Sequence, residues 1–335
     1  MKIEKIKNLW NKGFSYSHQK LISNVIPKIS NIEATNACGM KCIMCPRQNM
    51  TRKIGFMDIK LFEKIIRQAE KGSKVALHFF GDPLLHPKIG EMIKICRKYE
   101  IKSSLSTNPT SLTKENIQKI LDSGLDYLHI SLDGATKQTY EKIRRGMANY
   151  KQAIEYIENF LSEKIKRKTR KPITTIAIIR MKETEKEIND FLNQWKNKPG
   201  IDKVDVKDFI AWGGGIDTIN QLASEFSRHY KRREYYPCFW PWSKICVLWD
   251  GRVVPCCSDF DGKYILGDLK KQTLKEIWNS RKIQILRRQC RDNDFPKNHL
   301  CYGCREREGF KPSRFFPLNL ITQKRFKIFS YFKFN

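Results

Sequence analysis

The chain has 335 residues, of which 40% are hydrophobic and 11% aromatic, and its formal net charge is +29. This hydrophobic content is enough for a globular core and excludes a largely disordered chain. The sequence has no apolar run long enough to span a membrane, and it begins without the apolar stretch of a secretory signal peptide. With eleven cysteines in addition, we expect a cytoplasmic protein with one large domain and one smaller domain.

Part of the positive charge is concentrated at the two ends of the chain. The basic N-terminal segment, 1–29, carries six lysines against Glu4, and the tail 311–335 combines six basic residues with seven aromatic ones and no acid. Such ends are suited to an anionic membrane surface, whereas nucleic acid is disfavoured because no RNA-binding module is recognisable. The alternatives are a genome that encodes lysine freely and compensation for anionic cofactors and substrate.

Residues 30–215 alternate between short apolar runs and longer amphipathic stretches. The short runs predict strands at 31–35, 74–79, 102–106, 127–132, 174–179 and 204–209. The amphipathic stretches predict helices at 59–71, 88–99, 114–123, 137–145, 150–164 and 183–197. Regular alternation of this kind favours an α/β fold with a parallel sheet, whose ligands gather at the carboxyl ends of the strands.

Three cysteines, Cys38, Cys42 and Cys45, follow the first predicted strand. Because three and two residues separate them, one short loop can wrap three thiolates around a single inorganic centre. On a four-iron cube, three protein ligands leave one iron open, and an open position is typical of a catalytic site. A zinc site would need a fourth ligand, which the next thirty positions lack, and a disulfide loop is disfavoured in a chain without a secretory signal.

Polar segments follow the next three predicted strands. Gly-Asp-Pro occupies 81–83, Ser-Thr-Asn occupies 106–108, and Ser-Leu-Asp-Gly at 131–134 is followed by Arg144 and Arg145. The Asp-Pro and Ser/Asn residues are also typical of simple turns, which is the alternative interpretation of the first two segments.

The cysteine spacing and these polar segments resemble the signature of the radical S-adenosylmethionine (SAM) superfamily. The resemblance implies an open, partial (β/α)6 TIM-like barrel over 30–215. It further implies a [4Fe–4S] cluster on Cys38, Cys42 and Cys45 whose open iron is chelated by SAM, which is then cleaved to a 5′-deoxyadenosyl radical. It assigns the positioning of SAM to six residues: Gly81, Asp82, Ser106, Asn108, Ser131 and Arg144. This chain departs from the pattern at Phe80, where a glycine is usual, and at Asp82, where glutamate is usual.

A second set of cysteines lies beyond a predicted linker at 216–236. Apolar runs at 247–249 and 252–254 flank Asp250-Gly251, which indicates a hairpin with a tight turn. The hairpin brings Cys238 and Cys256 to neighbouring positions. Further along, Cys301 and Cys304 form a knuckle with two residues between them.

The spacing of these cysteines, together with Gly267-Asp268-Leu269 and the surroundings of Trp278, resembles the SPASM/twitch auxiliary-cluster domain. The resemblance implies a small, cysteine-rich α+β domain over 237–310. It also implies a second [4Fe–4S] cluster on four ligands: Cys238, Cys256, Cys301 and Cys304. Cys257 is able to exchange roles with Cys256, and zinc on the same four thiolates is the alternative.

We therefore expect a radical SAM oxidoreductase whose auxiliary cluster accepts an electron from a substrate radical. The expected substrate is small and carbohydrate-like or nucleotide-linked, and the electron donor is a flavodoxin or ferredoxin-type protein. A peptide-modifying maturase is the close alternative, although only thirty residues precede the barrel and no leader-peptide-binding domain is recognisable. A non-catalytic iron–sulfur carrier is the third, supported by the altered Gly-Asp-Pro segment. No side chain is assigned to the substrate.

Overall fold

The protein is described from a computed structural model, which covers residues 2–214, 216–226, 235–304 and 306. The strands in these ranges are β1 (Lys28–Ile32), β2 (Lys74–Ala76), β3 (Lys102–Thr107), β4 (Tyr127–Ser131), β5 (Ile173–Ile179), β6 (Lys203–Lys207), β7 (Lys244–Val247), β8 (Arg252–Val254) and β9 (Gly267–Asp268). They form a sheet in the order β6-β5-β4-β3-β2-β1-β7-β8-β9. Neighbours from β6 to β7 are parallel, whereas β8 and β9 are antiparallel.

Eleven α-helices are present in the described ranges. They are α1 (Lys2–Ser17), α2 (Ile59–Ile66), α3 (Ile89–Lys98), α4 (Lys114–Ser123), α5 (Lys137–Arg144), α6 (Tyr150–Lys166), α7 (Ile188–Trp195), α8 (Asp217–Asn220), α9 (Trp240–Ser243), α10 (Leu274–Trp278) and α11 (Arg281–Asp292). Capping side chains set the starts of α2 and α4, since Asp58 accepts from the Leu61 amide and Thr113 from the Asn116 amide. None of the helices in the described ranges is both long enough and apolar enough to cross a bilayer.

The predicted α/β fold with a partial barrel is confirmed, because each of the six predicted strands overlaps an observed parallel strand. The first strand differs most, since β1 begins three residues earlier and ends at Ile32. The chain leaves the sheet there because Glu33, which is completely buried, forms a two-point ion pair with Arg52 at 2.7 and 2.8 Å. Thr35 then donates to the Gly55 carbonyl oxygen at 2.7 Å.

The predicted hairpin is present as β7 and β8, with Gly251 at φ 89° in its turn. Trp249 was expected in the first strand but lies beyond it, with its amide donating to Glu33 at 3.2 Å. β7 also pairs in parallel with β1, with Lys28 opposite Lys244. The second domain therefore continues the sheet of the first and covers what would otherwise be an exposed strand edge.

The N-terminal helix packs against the start of the second domain. Tyr16 is completely buried, donates to the Pro237 carbonyl oxygen at 2.6 Å and meets the Trp242 ring edge-on. In the predicted linker, residues 217–220 form α8. The predicted basic aromatic tail, 311–335, lies outside the described residues.

Candidate functional site

The first cysteine loop lies at the carboxyl end of β1, and its three thiols are free and close enough to influence one another. Burial, and then the neighbouring Cys42, raise the pKa of Cys45 to about 12. Burial, and then Asp82, raise the pKa of Cys38 to about 11. A bound metal deprotonates such thiols outright, so this donor set fits an iron centre on Cys38, Cys42 and Cys45.

The end of α5 holds the cysteine loop in place. The Lys41 amide donates to the Arg144 carbonyl oxygen at 3.2 Å, and the Ile43 amide donates to the Ile143 carbonyl oxygen at 2.9 Å. Buried side chains on the loop, including Met40 and Met44, pack with Ile143 in a separate apolar cluster. The loop is thus fixed by an element more than ninety residues away in the chain.

Arg144 is the centre of a buried network beside this loop. Its guanidinium pairs with Asp133, donates to the Ser131 carbonyl oxygen at 2.7 Å and lies 3.6 Å from the Cys42 sulfur. The other Asp133 oxygen accepts from the Ile179 amide at 2.7 Å. The interpretation of Arg144 as the partner of the SAM carboxylate stays a prediction, but the structure gives this cation a protein carboxylate as its partner.

Gly81 and Asp82 lie directly against the segment that leads into the cysteines. A Cβ atom at Gly81 would lie 2.2 Å from the Thr35 carbonyl oxygen, so no other residue fits without moving the backbone. The Asp82 amide donates to the Ala37 carbonyl oxygen at 2.8 Å. The close approach expected of Gly81 is therefore made to the cysteine loop itself.

The Asp82 carboxylate is buried and already well supplied with donors. It accepts from the Leu84 amide at 3.0 Å, the Thr107 hydroxyl at 2.8 Å and the Ser111 hydroxyl at 2.9 Å. Asn108 donates to it from both its amide and its side chain. Burial raises the pKa of Asp82, while these donors oppose that rise. Asp82 and Asn108 thus join the ends of β2 and β3, and binding of the SAM ammonium by Asp82 stays a prediction.

We expect Asp82→Asn to lower the unfolding temperature and to weaken SAM binding. The NH2 group of the new side chain would face the hydrogen-bond donors that now point at the Asp82 carboxylate. Each buried group left unpaired costs about 1–3 kcal/mol. Equilibrium binding of SAM and thermal unfolding of the cluster-loaded protein measure the two effects. Thr107→Val is the matched control, since it removes one donor and keeps the carboxylate. If Asp82 also holds SAM, Asp82→Asn should lose more SAM affinity than Thr107→Val does for the same loss of unfolding temperature. An equal loss of SAM affinity in the two variants contradicts that role.

Ser106 and Ser131 meet on the inner face of the sheet. Their hydroxyl oxygens are 3.3 Å apart, and the Ser106 amide donates to the His78 ring at 3.0 Å. The six predicted SAM residues therefore divide into two groups. One surrounds the Asp82 carboxylate, and the other lies around Ser131, to which Arg144 donates.

Three further residues on this inner face were not assigned by sequence analysis. Burial, and then the charge of Lys207, lower the pKa values of His78 and His129 to about 3, so both rings are neutral. The His129 Nδ1 is buried without a hydrogen-bond partner in the described part of the chain. Strand alternation could have identified these residues, because residues two or four apart in a strand point to the same face. His78, His129 and Lys207 each lie at such a spacing from another polar residue in or beside their strand.

The second set of cysteines also comes together. Burial raises the pKa of Cys256, and four other thiols raise it further: Cys257, Cys301, Cys304 and Cys238. Cys96, Cys246 and Cys290 are instead buried in apolar clusters. Among the described residues no three metal-binding side chains converge on the position of a single ion, whereas a cube places each thiolate on a different iron.

Residues near the two cysteine sets contact other parts of the chain. Glu306, just after the Cys301–Cys304 knuckle, accepts from the Ala211 amide at 2.7 Å. Phe80, where the family usually has glycine, packs against Trp212 and Phe260 with ring centroids 5.0 and 5.9 Å apart. The aromatic side chain at 80 therefore has a packing role between the domains.

Comparison with known proteins agrees with this architecture. Over 311 residues the chain is 25% identical to the tungsten-containing aldehyde ferredoxin oxidoreductase cofactor-modifying protein of Pyrococcus furiosus, covering 82% of this chain and 85% of the relative. It is 20% identical over 280 residues to the S-adenosyl-L-methionine-dependent 2-deoxy-scyllo-inosamine dehydrogenase of Niallia circulans, covering 82% and 90%. The structure of SuiB from Streptococcus suis, bound to its precursor peptide SuiA, superimposes with a TM-score of 0.58 at 16% identity, covering 84% and 71%.

Two family models match the chain. The radical SAM superfamily model matches residues 32–194, and the SPASM model, an iron–sulfur cluster-binding domain, matches residues 238–305. Each match contains the cysteines that the sequence and the structure bring together. The two matches together span well over half of the chain, which belongs to the radical SAM superfamily and carries a C-terminal SPASM domain.

Proposed function

We propose that this enzyme oxidises a small, polar, anionic substrate by SAM-dependent hydrogen abstraction. The observation that carries the proposal is the inner face of the sheet near the first cysteine loop, where a cation lies beside two neutral imidazoles. These side chains are Lys207, His78 and His129. His78 and His129 flank Ser106, and Lys207 lies at the carboxyl end of β6, two residues beyond the level of Ser131.

Lys207 is a partly buried cation whose ammonium makes no hydrogen bond or ion pair with any residue that the structure describes. Burial lowers its pKa, and the more distant charges of Asp133 and Asp205 oppose that change. A buried charge is costly unless a partner compensates it, so this position favours an anionic group from outside the protein. The His129 Nδ1, equally without a partner, suits a substrate hydroxyl.

The inner face is open at this level and closed below it. His78, Ser106, His129, Ser131 and Lys207 are all partly exposed. One level toward the amino ends of the strands, Ser104, two residues before Ser106 on β3, is only 2% exposed. A substrate of limited size therefore fits between the cysteine loop and this packed level.

The two cysteine sets support a net oxidation. When bound, the first cluster and SAM supply the radical that takes a hydrogen atom from the substrate. To lose two hydrogens in all, the substrate radical must also give up one electron and one proton. Cys238, Cys256, Cys301 and Cys304 would close the coordination of a second cube, and a closed cube would suit electron transfer rather than SAM binding. The imidazoles are too weakly basic to be good proton acceptors, so they are assigned to hydrogen bonding. The proton passes to solvent water, to which this partly exposed face is open.

The relatives include proteins that act on small molecules and one bound to a peptide. The names of two of them, a cofactor-modifying protein and a dehydrogenase, support a small substrate. The complex of SuiB with its precursor peptide makes peptide modification the second candidate. The unpaired Lys207 favours the small substrate over the peptide, because a buried cation without a partner is stabilised by an anionic group.

We expect the small anionic fraction of a host-cell extract to stimulate cleavage of SAM by the reconstituted enzyme. The assay supplies dithionite and SAM without oxygen and measures 5′-deoxyadenosine, while mass spectrometry looks for a product two hydrogens lighter than its precursor. Stimulation only by a peptide fraction contradicts the proposal and supports the second candidate.

Lys207→Met tests the residue that carries the proposal. Loss of one charge-assisted contact costs about 1.5–3 kcal/mol, so the concentration of the anionic fraction needed for half-stimulation should rise about tenfold or more. For each variant, the rate of 5′-deoxyadenosine formation with the anionic fraction is compared with the rate of the same variant without it. Lys182→Met, at an exposed lysine, is the matched control and should respond like the parent enzyme. An unchanged response of Lys207→Met rules out this residue as the anion contact.

A further inference from the structure

Five strands of the described sheet begin with lysine. These residues, here called the strand-start lysines, are Lys28, Lys74, Lys102, Lys203 and Lys244. The register places Lys28 directly opposite Lys244 and Lys74 directly opposite Lys102. Since the strands are parallel, all five lie at the amino-terminal end of the sheet, away from the cysteine loop.

The strand-start lysines lie close enough to repel one another. Burial, and then the charges of Lys102 and Lys203, lower the pKa of Lys74. Lys203 is on β6, four strands from β2, so the curvature of the sheet brings the two across from each other. Burial, and then Lys244, Lys74 and Lys12, lower the pKa of Lys28 to about 8, while the charge of Glu70 opposes that change. The five ammonium groups and Lys12 of α1 thus form one cluster.

Some of these cations have partners in the protein. Lys12 pairs with Glu70 at 3.5 Å and Lys203 with Asp205 at 3.1 Å. Lys74 lies over the Tyr127 ring at 4.3 Å, and Lys244 lies over the Trp240 ring at 3.9 Å.

Lys28 and Lys102 differ from the rest of the cluster. Their ammonium groups make no hydrogen bond, ion pair or ring contact with any residue in the described ranges. Like charges placed opposite each other in a sheet are destabilising, and a partly buried cation without a partner adds to that cost. An anion bound between Lys28 and Lys102 would reduce both the repulsion between the lysines and the cost of burying an unpartnered cation.

We propose that the strand-start lysines form a second anion-binding site, which takes the phosphate or diphosphate group of a small molecule. Lysine binds phosphate as a point charge, and several lysines converging on a concave sheet end suit a compact, multiply charged group. The buried Ser104 lies between Lys102 and Ser106 on β3, and so between this site and the one beside Lys207. The charges of Lys74 and Lys203 still act on His78 and His129. The anion site is nevertheless formed by its own lysines, so it stands whether or not the proposed oxidation is correct.

Isothermal titration of the cluster-loaded protein with inorganic pyrophosphate tests the site. We expect Lys28→Met combined with Lys102→Met to weaken binding at least about tenfold, because two unpartnered cations are lost. The control combines Lys94→Met with Lys151→Met, two exposed helix lysines, and makes the same change in net charge. It should bind pyrophosphate like the parent.

Thermal unfolding gives a second readout that does not depend on heats of binding. Pyrophosphate should raise the unfolding temperature of the parent and of the control, but not that of the double variant. Without the anion, the double variant should unfold at the same temperature as the parent or higher, because repulsion has been removed. If the double variant does not fold, Lys102→Met alone replaces it. Equal binding by the parent and the Lys102 variant, or no binding to the parent at millimolar pyrophosphate, overturns the proposal. Binding only to vesicles of anionic lipid also overturns it.

Discussion

Cys42→Ala should abolish the reductive cleavage of SAM and remove about half of the protein-bound iron, from about eight to about four atoms per chain. Cys42 is the middle cysteine of the first loop, and its sulfur lies against the Arg144 guanidinium. Without this ligand the first cluster would have only two protein ligands. The test measures 5′-deoxyadenosine formation with dithionite, together with iron and sulfide, on anaerobically reconstituted protein.

Cys304→Ala is the matched control for the second cluster. It should also lose iron, but it should still form 5′-deoxyadenosine, because the first loop is intact. Retention of all iron in Cys42→Ala would contradict the assignment of the first site. Cleavage by Cys42→Ala but not by Cys304→Ala would mean that the roles of the two sites are reversed.

Arg144→Met should destabilise the cluster-loaded protein by about 3–5 kcal/mol. The substitution leaves the Asp133 carboxylate, which is completely buried, without its cationic partner. It also removes the donor to the Ser131 carbonyl oxygen. Urea unfolding without oxygen, followed by tryptophan fluorescence and by the visible absorption of the clusters, measures the loss.

Two variants make this result specific. Arg167→Met, which breaks ion pairs with Asp122 and Glu163 near the surface, should cost much less because solvent screens these pairs. Adding Asp133→Asn to Arg144→Met should recover part of the loss, since the unpaired charge is then gone. Equal destabilisation by Arg144→Met and Arg167→Met would show that the buried pair is not a main stabilising contact.

The predicted strands and helices of the first domain agree closely with the structure because each depends on local sequence. Apolar side chains of β3 to β6 pack with those of the amphipathic helices, and a cap such as Thr113 is contained in the sequence itself. The hairpin of β7 and β8 was predictable for the same reason, since Gly251 supplies the turn. Cysteine spacing is local too, and it was enough to indicate both cysteine sets.

Contacts between distant segments were not predictable. The pairing of β7 with β1 joins residues more than two hundred positions apart, and nothing in either strand specifies its partner. The partners of Asp82 come from the end of the next strand, so its burial follows from the turn of the sheet.

The sequence by itself determined the family, the α/β class and the cysteines, because these depend on the spacing and periodicity of neighbouring residues. Only the tertiary structure decided that Arg144 pairs with Asp133, that Lys207 is left without a partner, and that the strand-start lysines converge. These are properties of a curved parallel sheet, which brings together side chains from strands far apart in the chain. The protonation, the burial and the hydrogen-bond partners of side chains at such positions depend on their neighbours in space, which the local sequence does not encode.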